Sequence, residues 1–233
     1  VKGGGHGDYR LITLAPSSVQ EMADFVGLGF DLAFKYRNPS IILADGLIGQ
    51  MMEKVVLPPY RPRKTEEEII KECPWAIVGK PENRKRNLVT SLELDPAVME
   101  ANNIRFQAKY HEIEENEVRF EEFECKDAEY LLVAFGSAAR ICQKVVELAR
   151  EEGIKLGLFR PITLWPFPKK AIAEYASQVK GMLSVELNAG QMVEDIRLAV
   201  NGKIKVEHFG RLGGIVFTPD EVLSALKAKI MNK

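Results

Sequence analysis

Residues 128–153 read AEYLLVAFGSAARICQKVVELAREEG, and this stretch decides the fold class. Ala128–Ser137 is a near-continuous apolar run that reaches Gly136, as a strand buried on both faces of a parallel sheet does. The remainder is amphipathic at helical spacing and closes on Gly153 as a C-cap. The unit is repeated downstream. IKLGLFRPITLWPFP (154–168) carries the next strand and KKAIAEYASQVKG (169–181) the next helix. MLSVELNAGQ (182–191) and a helix from about Gln191 to Asn201 follow, then KIKVEHFG (203–210). TPDEVLSALKAKI (218–230) ends the series with Thr218 as N-cap and Pro219 at the first helical position. Four strand–helix steps between 128 and 233 predict a doubly wound α/β domain.

Residues 1–60 show the same alternation. RLITLA (10–15) is an apolar strand stopped by Pro16. Ser18 and Glu21 have capping-box spacing and open a helix through about Tyr36, on which Val19, Met22, Ala23, Val26, Phe30 and Ala33 recur at helical spacing. Gly27 and Gly29 inside it mark close backbone packing, against a sheet or another subunit. PSIILAD (39–45) is a second strand, followed by Gly46 and a helix toward Val56, which predicts a parallel pair.

Residues 61–127 read as a connector. PPYRPRKTEEE (58–68) is proline-rich and charged. Lys80, Arg84, Lys85 and Arg86 have no interleaved aromatics and read as a solvated loop, not a nucleic-acid patch. Asp95 and Pro96 start a long polar helix to about Glu122, with Met99, Phe106, Tyr110 and Ile113 as its apolar stripe. The glutamates after His111 read as a solvated face.

The bulk composition excludes several classes. Hydrophobic residues at 46% and charged residues at 28% are ordinary for a globular protein. The net charge of -1 gives no pull toward nucleic acid or anionic membrane, and no apolar run spans a bilayer. Cys73, Cys125 and Cys142 lack metal-ligand spacing; as reduced thiols they point to a cytoplasmic protein with no metal of its own. The opening VKGGGHGDYR has neither an initiator methionine nor a signal peptide, so the chain is expected to belong to a longer polypeptide.

Candidate site residues gather at the carboxyl ends of strands, where open α/β sheets bind ligands. Asp45 ends one strand, where it either lines a site or initiates a turn. Gly136-Ser137 opens a helix and either binds an anion or forms a turn. Glu186, Asn188 and Gln191 place a carboxylate and two amides at a helix start, as a site, an interface or a cap. The glycines around His6 satisfy no phosphate-loop pattern and suit a flexible active-site or interface loop. In FRPITLWPFP, Arg160 and Pro161 end a strand; Trp165 and Phe167 form a rigid elbow that cannot continue the sheet. The elbow either anchors another domain or subunit, with Arg160 paired to a carboxylate across the contact, or packs as a stiff turn on its own core.

GGGHGDY, LAPSSVQE, NLVTSLELDP, FRPITLWPFP, VELNAGQM and GRLGG occur in an order that resembles the α subunit of 2-oxoacid:ferredoxin oxidoreductases over essentially the whole chain. The branched-chain 2-oxoisovalerate type is most similar and the 2-oxoglutarate type next. The resemblance implies part of a thiamine-type pyrimidine-binding domain followed by a transketolase-C-terminal-like domain. It also implies oxidative decarboxylation of a 2-oxoacid to an acyl-CoA with thiamine diphosphate, ferredoxin accepting the electrons. A β subunit would hold the diphosphate and Mg²⁺, and a small subunit the iron–sulfur clusters, in a hetero-oligomer. The family's cofactor-activating glutamate and substrate-binding arginine lie upstream of the glycine–histidine loop, so this stretch alone is expected to be inactive. His6, with Gly5 and Gly7, is the residue expected at the active-site cleft, and Asp45 a further cofactor contact. A non-catalytic assembly module is the alternative from another class.

Overall fold

The computed structural model describes residues 3, 7–79, 82 and 85–232. Strand β1 (Ile12–Leu14) is fully buried and leads through Pro16 into helix α1 (Val19–Tyr36). The chain returns as β2 (Ser40–Ile42), parallel to β1, with Ile12 opposite Ser40 and Leu14 opposite Ile42. Ser18 caps α1, its Oγ accepting the Glu21 N–H at 3.1 Å. The expected capping box is only half made. The Glu21 carboxylate turns instead to the Ser17 N–H at 2.6 Å and to Arg160.

The buried face of α1 is Phe25, Gly29, Leu32 and Tyr36, rotated from the expected stripe, whose Val26 and Phe30 stand exposed. The helix is apolar around much of its circumference, so periodicity alone could not choose the face. Helix α2 (Gly46–Gln50) stops well short of Val56. Beyond it the chain runs irregularly along α1, where the Gln20 side chain serves both the N–H and the C=O of Val56, at 2.8 and 2.9 Å. That tertiary pairing replaces the helical bonds the sequence pattern called for. Within the connector lies α3 (Glu66–Glu72), capped by a full Thr65–Glu68 box that the charged composition concealed.

Helix α4 (Pro96–Asn116) ends before Glu122, because residues 120–123 are needed elsewhere. They form β3 (Phe120–Phe123), an antiparallel edge strand whose Phe120 ring stacks on Phe159 at 4.8 Å. The glutamates are not all solvated either. Glu117 is buried and accepts hydrogen bonds from Lys35 Nζ, Tyr36 Oη and Arg119 Nη1 at 2.7, 2.7 and 2.8 Å. Burial alone would raise its pKa, but these three donors outweigh that and hold it at about 2.

The second sheet grows from β4 (Tyr130–Val133), α5 (Gly136–Glu151), β5 (Leu156–Pro161) and α6 (Lys169–Tyr175), while β6 (Thr163–Trp165), between the last two, belongs to the first sheet. It continues with β7 (Gly181–Glu186), α7 (Met192–Val200), β8 (Lys205–Gly210) and α8 (Pro219–Leu226), which ends in a π turn. The order is β3-β5-β4-β7-β8, parallel except for β3. Cys142, Val145 and Val146 of α5 pack with Leu223 and Leu226 of α8 in one core layer. Ile172 and Tyr175 of α6 pack with Met192 and Ile196 of α7 in the other. From β4 the chain leaves toward one face and from β7 toward the other, so a crevice opens between their carboxyl ends.

The segment FRPITLWPFP does not stand outside the sheets as expected. Pro161 ends the β5 ladder. Two residues later the chain is a strand again, β6, in the other sheet. There Thr13 of β1 pairs antiparallel with Trp165, and Leu14 with Thr163. Trp165 is buried with its ring edge-on to Tyr110 at 5.8 Å, and the Trp165–Pro166 peptide is cis. One continuous stretch of chain therefore belongs to both sheets.

Candidate functional site

A cleft of about 420 Å³ opens at the β4–β7 crevice, between the two sheets. Leu43, just after β2, forms one wall; Phe135 and Glu186 form the opposite one; Leu164 and Phe167 of the crossover segment close the end. Met192 and Leu198 of α7 add apolar surface, and Asn188, Gln191, Glu194 and Asp195 make the polar side. A lobe of about 200 Å³ continues past Leu43 and Phe135 to Asp45 and Gly136. The cleft is thus an apolar slot with one amide- and carboxylate-bearing edge.

Three helices begin at this cleft, and the chain's own carboxylates already serve their free N–H groups. Glu186 is buried and accepts from the N–H groups of Gln191, Met192 and Val193 at 3.1, 2.9 and 3.0 Å, and from Ser184 Oγ at 2.8 Å. Asp45 Oδ1 accepts the Leu47 and Ile48 N–H groups of α2, while its Oδ2 accepts the Ser137 N–H of α5 at 2.9 Å. The anion at the Gly136-Ser137 turn is therefore internal. Asn188 Oδ1 accepts the Gly190 N–H at 2.7 Å and shapes the loop before α7.

Outside the cleft lining, Arg160 ties α1 to β3 and β5. Its Nη1 and Nη2 donate to Glu21 of α1 at 2.9 and 2.6 Å, and its Nε to Glu121 of β3 at 2.9 Å. Burial pushes the Glu21 carboxyl up, but the bonds from Arg160 and Ser17 prevail and its pKa lies below the ordinary 4.5. A second tie joins Arg140 Nη1 to Glu53 at 2.7 Å.

Of the residues singled out from sequence, the cleft gathers Phe167, Glu186, Asn188 and Gln191, with Asp45 at its inner lobe. Arg160 and Trp165 do not reach it. Arg160, Trp165, Phe167 and Glu186 are at most 4% exposed, so they make contacts within the chain rather than a face for a partner. Gly7 is exposed with φ 111°, and Gly3 borders the cleft. His6 and Gly5 lie outside the described residues, as do Lys80 and Arg84. Sequence reasoning missed Leu43, Phe135 and Leu164, although the first two end apolar strand runs where sites collect. It also missed that Glu21 reaches Arg160 and that Glu117 reaches Lys35 and Tyr36, partners remote in sequence.

Among the described residues no group of three or more His, Cys, Asp or Glu side chains is placed to hold a metal ion, and no helix is long and apolar enough to cross a membrane. Cys73, Cys125 and Cys142 are free thiols.

Comparison with known proteins places this geometry. Residues 6–124 match the family model described as pyruvate flavodoxin/ferredoxin oxidoreductase, thiamine diphosphate-binding. Residues 128–222 match pyruvate:ferredoxin oxidoreductase core domain II. The chain is 47% identical over 230 residues to ketoisovalerate oxidoreductase subunit VorB of Methanothermobacter thermautotrophicus, covering 97% of this chain and 62% of that protein. It is 31% identical over 248 residues to 2-oxoglutarate synthase subunit KorA of Methanothermobacter marburgensis, covering 96% and 65%. In fold it resembles the 2-oxoglutarate:ferredoxin oxidoreductase from Magnetococcus marinus, with a TM-score of 0.73 at 20% identity over 97% of this chain and 43% of that one. The chain thus spans somewhat under two thirds of the curated relatives it matches. With its two units matching consecutive domains of one enzyme type, the chain belongs to the pyruvate flavodoxin/ferredoxin oxidoreductase family.

Proposed function

We propose that the chain works as part of the α subunit of a thiamine-diphosphate-dependent 2-oxoacid:ferredoxin oxidoreductase that converts 2-oxoisovalerate to its acyl-CoA. The observation that carries this is the 47% identity across 97% of the chain to a ketoisovalerate oxidoreductase subunit, against 31% to a 2-oxoglutarate synthase subunit. The chemistry of the cleft supports the same preference. Leu164 and Met192 suit a branched apolar acyl chain, whereas Glu194 and Asp195 would oppose the second carboxylate of 2-oxoglutarate.

Bound thiamine diphosphate would supply the nucleophilic carbon that attacks the 2-oxoacid. The described residues suit only its pyrimidine ring, between Phe135, Phe167 and Leu43 with Asn188 and Gln191 at its edge. They do not suit the diphosphate, because Asp45 and Glu186 already occupy the helix starts where a phosphate would bind. In this reading a β subunit holds the diphosphate and Mg²⁺, and a small subunit carries the iron–sulfur clusters that pass electrons to ferredoxin. Free thiols suit a reducing, cytoplasmic setting.

The test is ferredoxin reduction by the native complex containing this chain, dependent on CoA and on 2-oxoisovalerate, 2-oxoglutarate or pyruvate. The branched acid is expected to be turned over fastest. A higher rate with 2-oxoglutarate would overturn the substrate, and no reduction with any 2-oxoacid would leave an assembly role instead.

A further inference from the structure

The cleft wall that follows β2 and the wall that follows β4 are joined by one carboxylate. Asp45 caps its own helix, α2, through Oδ1 and reaches across to α5 through Oδ2. The Ser137 N–H it meets lies in the first turn of α5, where no residue of that helix can accept from it. Phe135, at the N-cap position, offers no side-chain acceptor. Gly136 takes φ 60°, and a β-carbon there would stand 2.9 Å from Asp45 Oδ2. The glycine and the short carboxylate are therefore fitted to each other, and both border the inner lobe of the cleft.

The geometry points to Asp45 as a positioning residue that sets the separation of the two cleft walls. It makes no ligand contact in this role, since both oxygens are already engaged by backbone N–H groups. A carboxylate suits the position for two reasons. It has acceptor oxygens enough for two helix starts, and its charge is favourable at each positive helix end. The walls contributed by separate sheets are thereby held at one spacing before any substrate enters. Only the kinetic part of the test below rests on the proposed function.

Asp45→Ser separates the two duties. A serine remains a good N-cap for α2 but is too short to reach Ser137. Asp95→Ser is the control. Asp95 caps α4, its Oδ1 accepting the Ala97 N–H at 2.9 Å, so the charge change is the same at a helix start remote from the cleft. In the native complex, amide hydrogen exchange at Ser137–Arg140 is expected to quicken roughly tenfold in Asp45→Ser, with Leu47 and Ile48 little changed and Asp95→Ser like the wild type. Spin labels at Asp24→Cys on α1 and Gln143→Cys on α5, in a Cys73→Ser background that removes the native half-exposed thiol, are expected to show a broader distance distribution with Asp45→Ser. The KM for the 2-oxoacid is expected to rise several-fold while kcat changes little. Unchanged exchange at Ser137 would overturn the inference. So would faster exchange with an unaltered distance distribution, which would make the bond a local cap only. If the wild-type complex turns over no 2-oxoacid, the functional reading fails while exchange and distance still decide the role of Asp45.

Discussion

Replacing Arg160 with methionine tests how firmly the two units are tied. The guanidinium is 3% exposed and makes two bonds to Glu21 and one to Glu121. Removing one partner of a buried pair leaves the other charge uncompensated and costs about 3–5 kcal/mol. Two features place this case at the low end. The Glu121 side chain is 58% exposed, so its contact is screened and contributes under about 1 kcal/mol. Glu21 keeps the Ser17 N–H and hydroxyl as donors, at 2.6 and 3.1 Å, and these partly compensate it. The expected loss is therefore about 3 kcal/mol, or a Tm lowered by roughly 6–12 °C for a chain of this size. Urea unfolding followed by circular dichroism gives the number, and a double-mutant cycle with Glu21→Gln isolates the pair. Acid adds an independent check. The folded pKa of Glu21 lies below the ordinary 4.5, so its contribution is complete above pH 4.5 and is lost as pH falls through the lower folded value. The gap between wild type and Arg160→Met should therefore shrink in acid. A loss under about 1 kcal/mol at neutral pH, or a gap that stays constant into acid, would refute the ion pair as the tie.

Three further outcomes are expected. Glu117→Gln removes the charge that Tyr36 and Arg119 bind and should cost about 2–3 kcal/mol at pH 7 in urea melts. Because the folded pKa of Glu117 is about 2, that difference should be full above pH 4.5 and fade as pH falls toward 2. Gly136→Ala combines a left-handed φ of 60° with a β-carbon 2.9 Å from Asp45 Oδ2, and should lower stability by about 2–4 kcal/mol in the same assay. Towards a thiol reagent in the native protein, half-exposed Cys73 should react first. Cys125, whose thiol burial pushes up to about 11, and Cys142, also raised by burial, should react only on unfolding.

The alternating strand and helix units at 128–233 were legible because a strand buried on both faces and an amphipathic helix write different local periods. Gly136 and Gly153 marked turns that local geometry demands, and Thr218 and Pro219 marked a helix start. The carboxyl ends of strands could likewise be named as where candidate residues gather, but that β4 and β7 are neighbours with helices leaving toward opposite faces came from the folded sheet. What local pattern left open was which partner a segment takes. Residues 51–56 lost their expected helix to the Gln20 side chain, and residues 120–122 lost theirs to the open edge of β5. The apolar face of α1 was ambiguous because two adjacent arcs of it are hydrophobic. In FRPITLWPFP the prolines announced the end of one ladder but not that the chain would join the other sheet. Glu21 and Asp45 carried ordinary capping signals, yet their second oxygens serve Arg160 and Ser137, 139 and 92 residues away. Capping and periodicity act within a few residues and are written in the sequence. The choice of a distant donor for a half-buried carboxylate depends on which N–H groups burial leaves without water, and only the packed structure decides that.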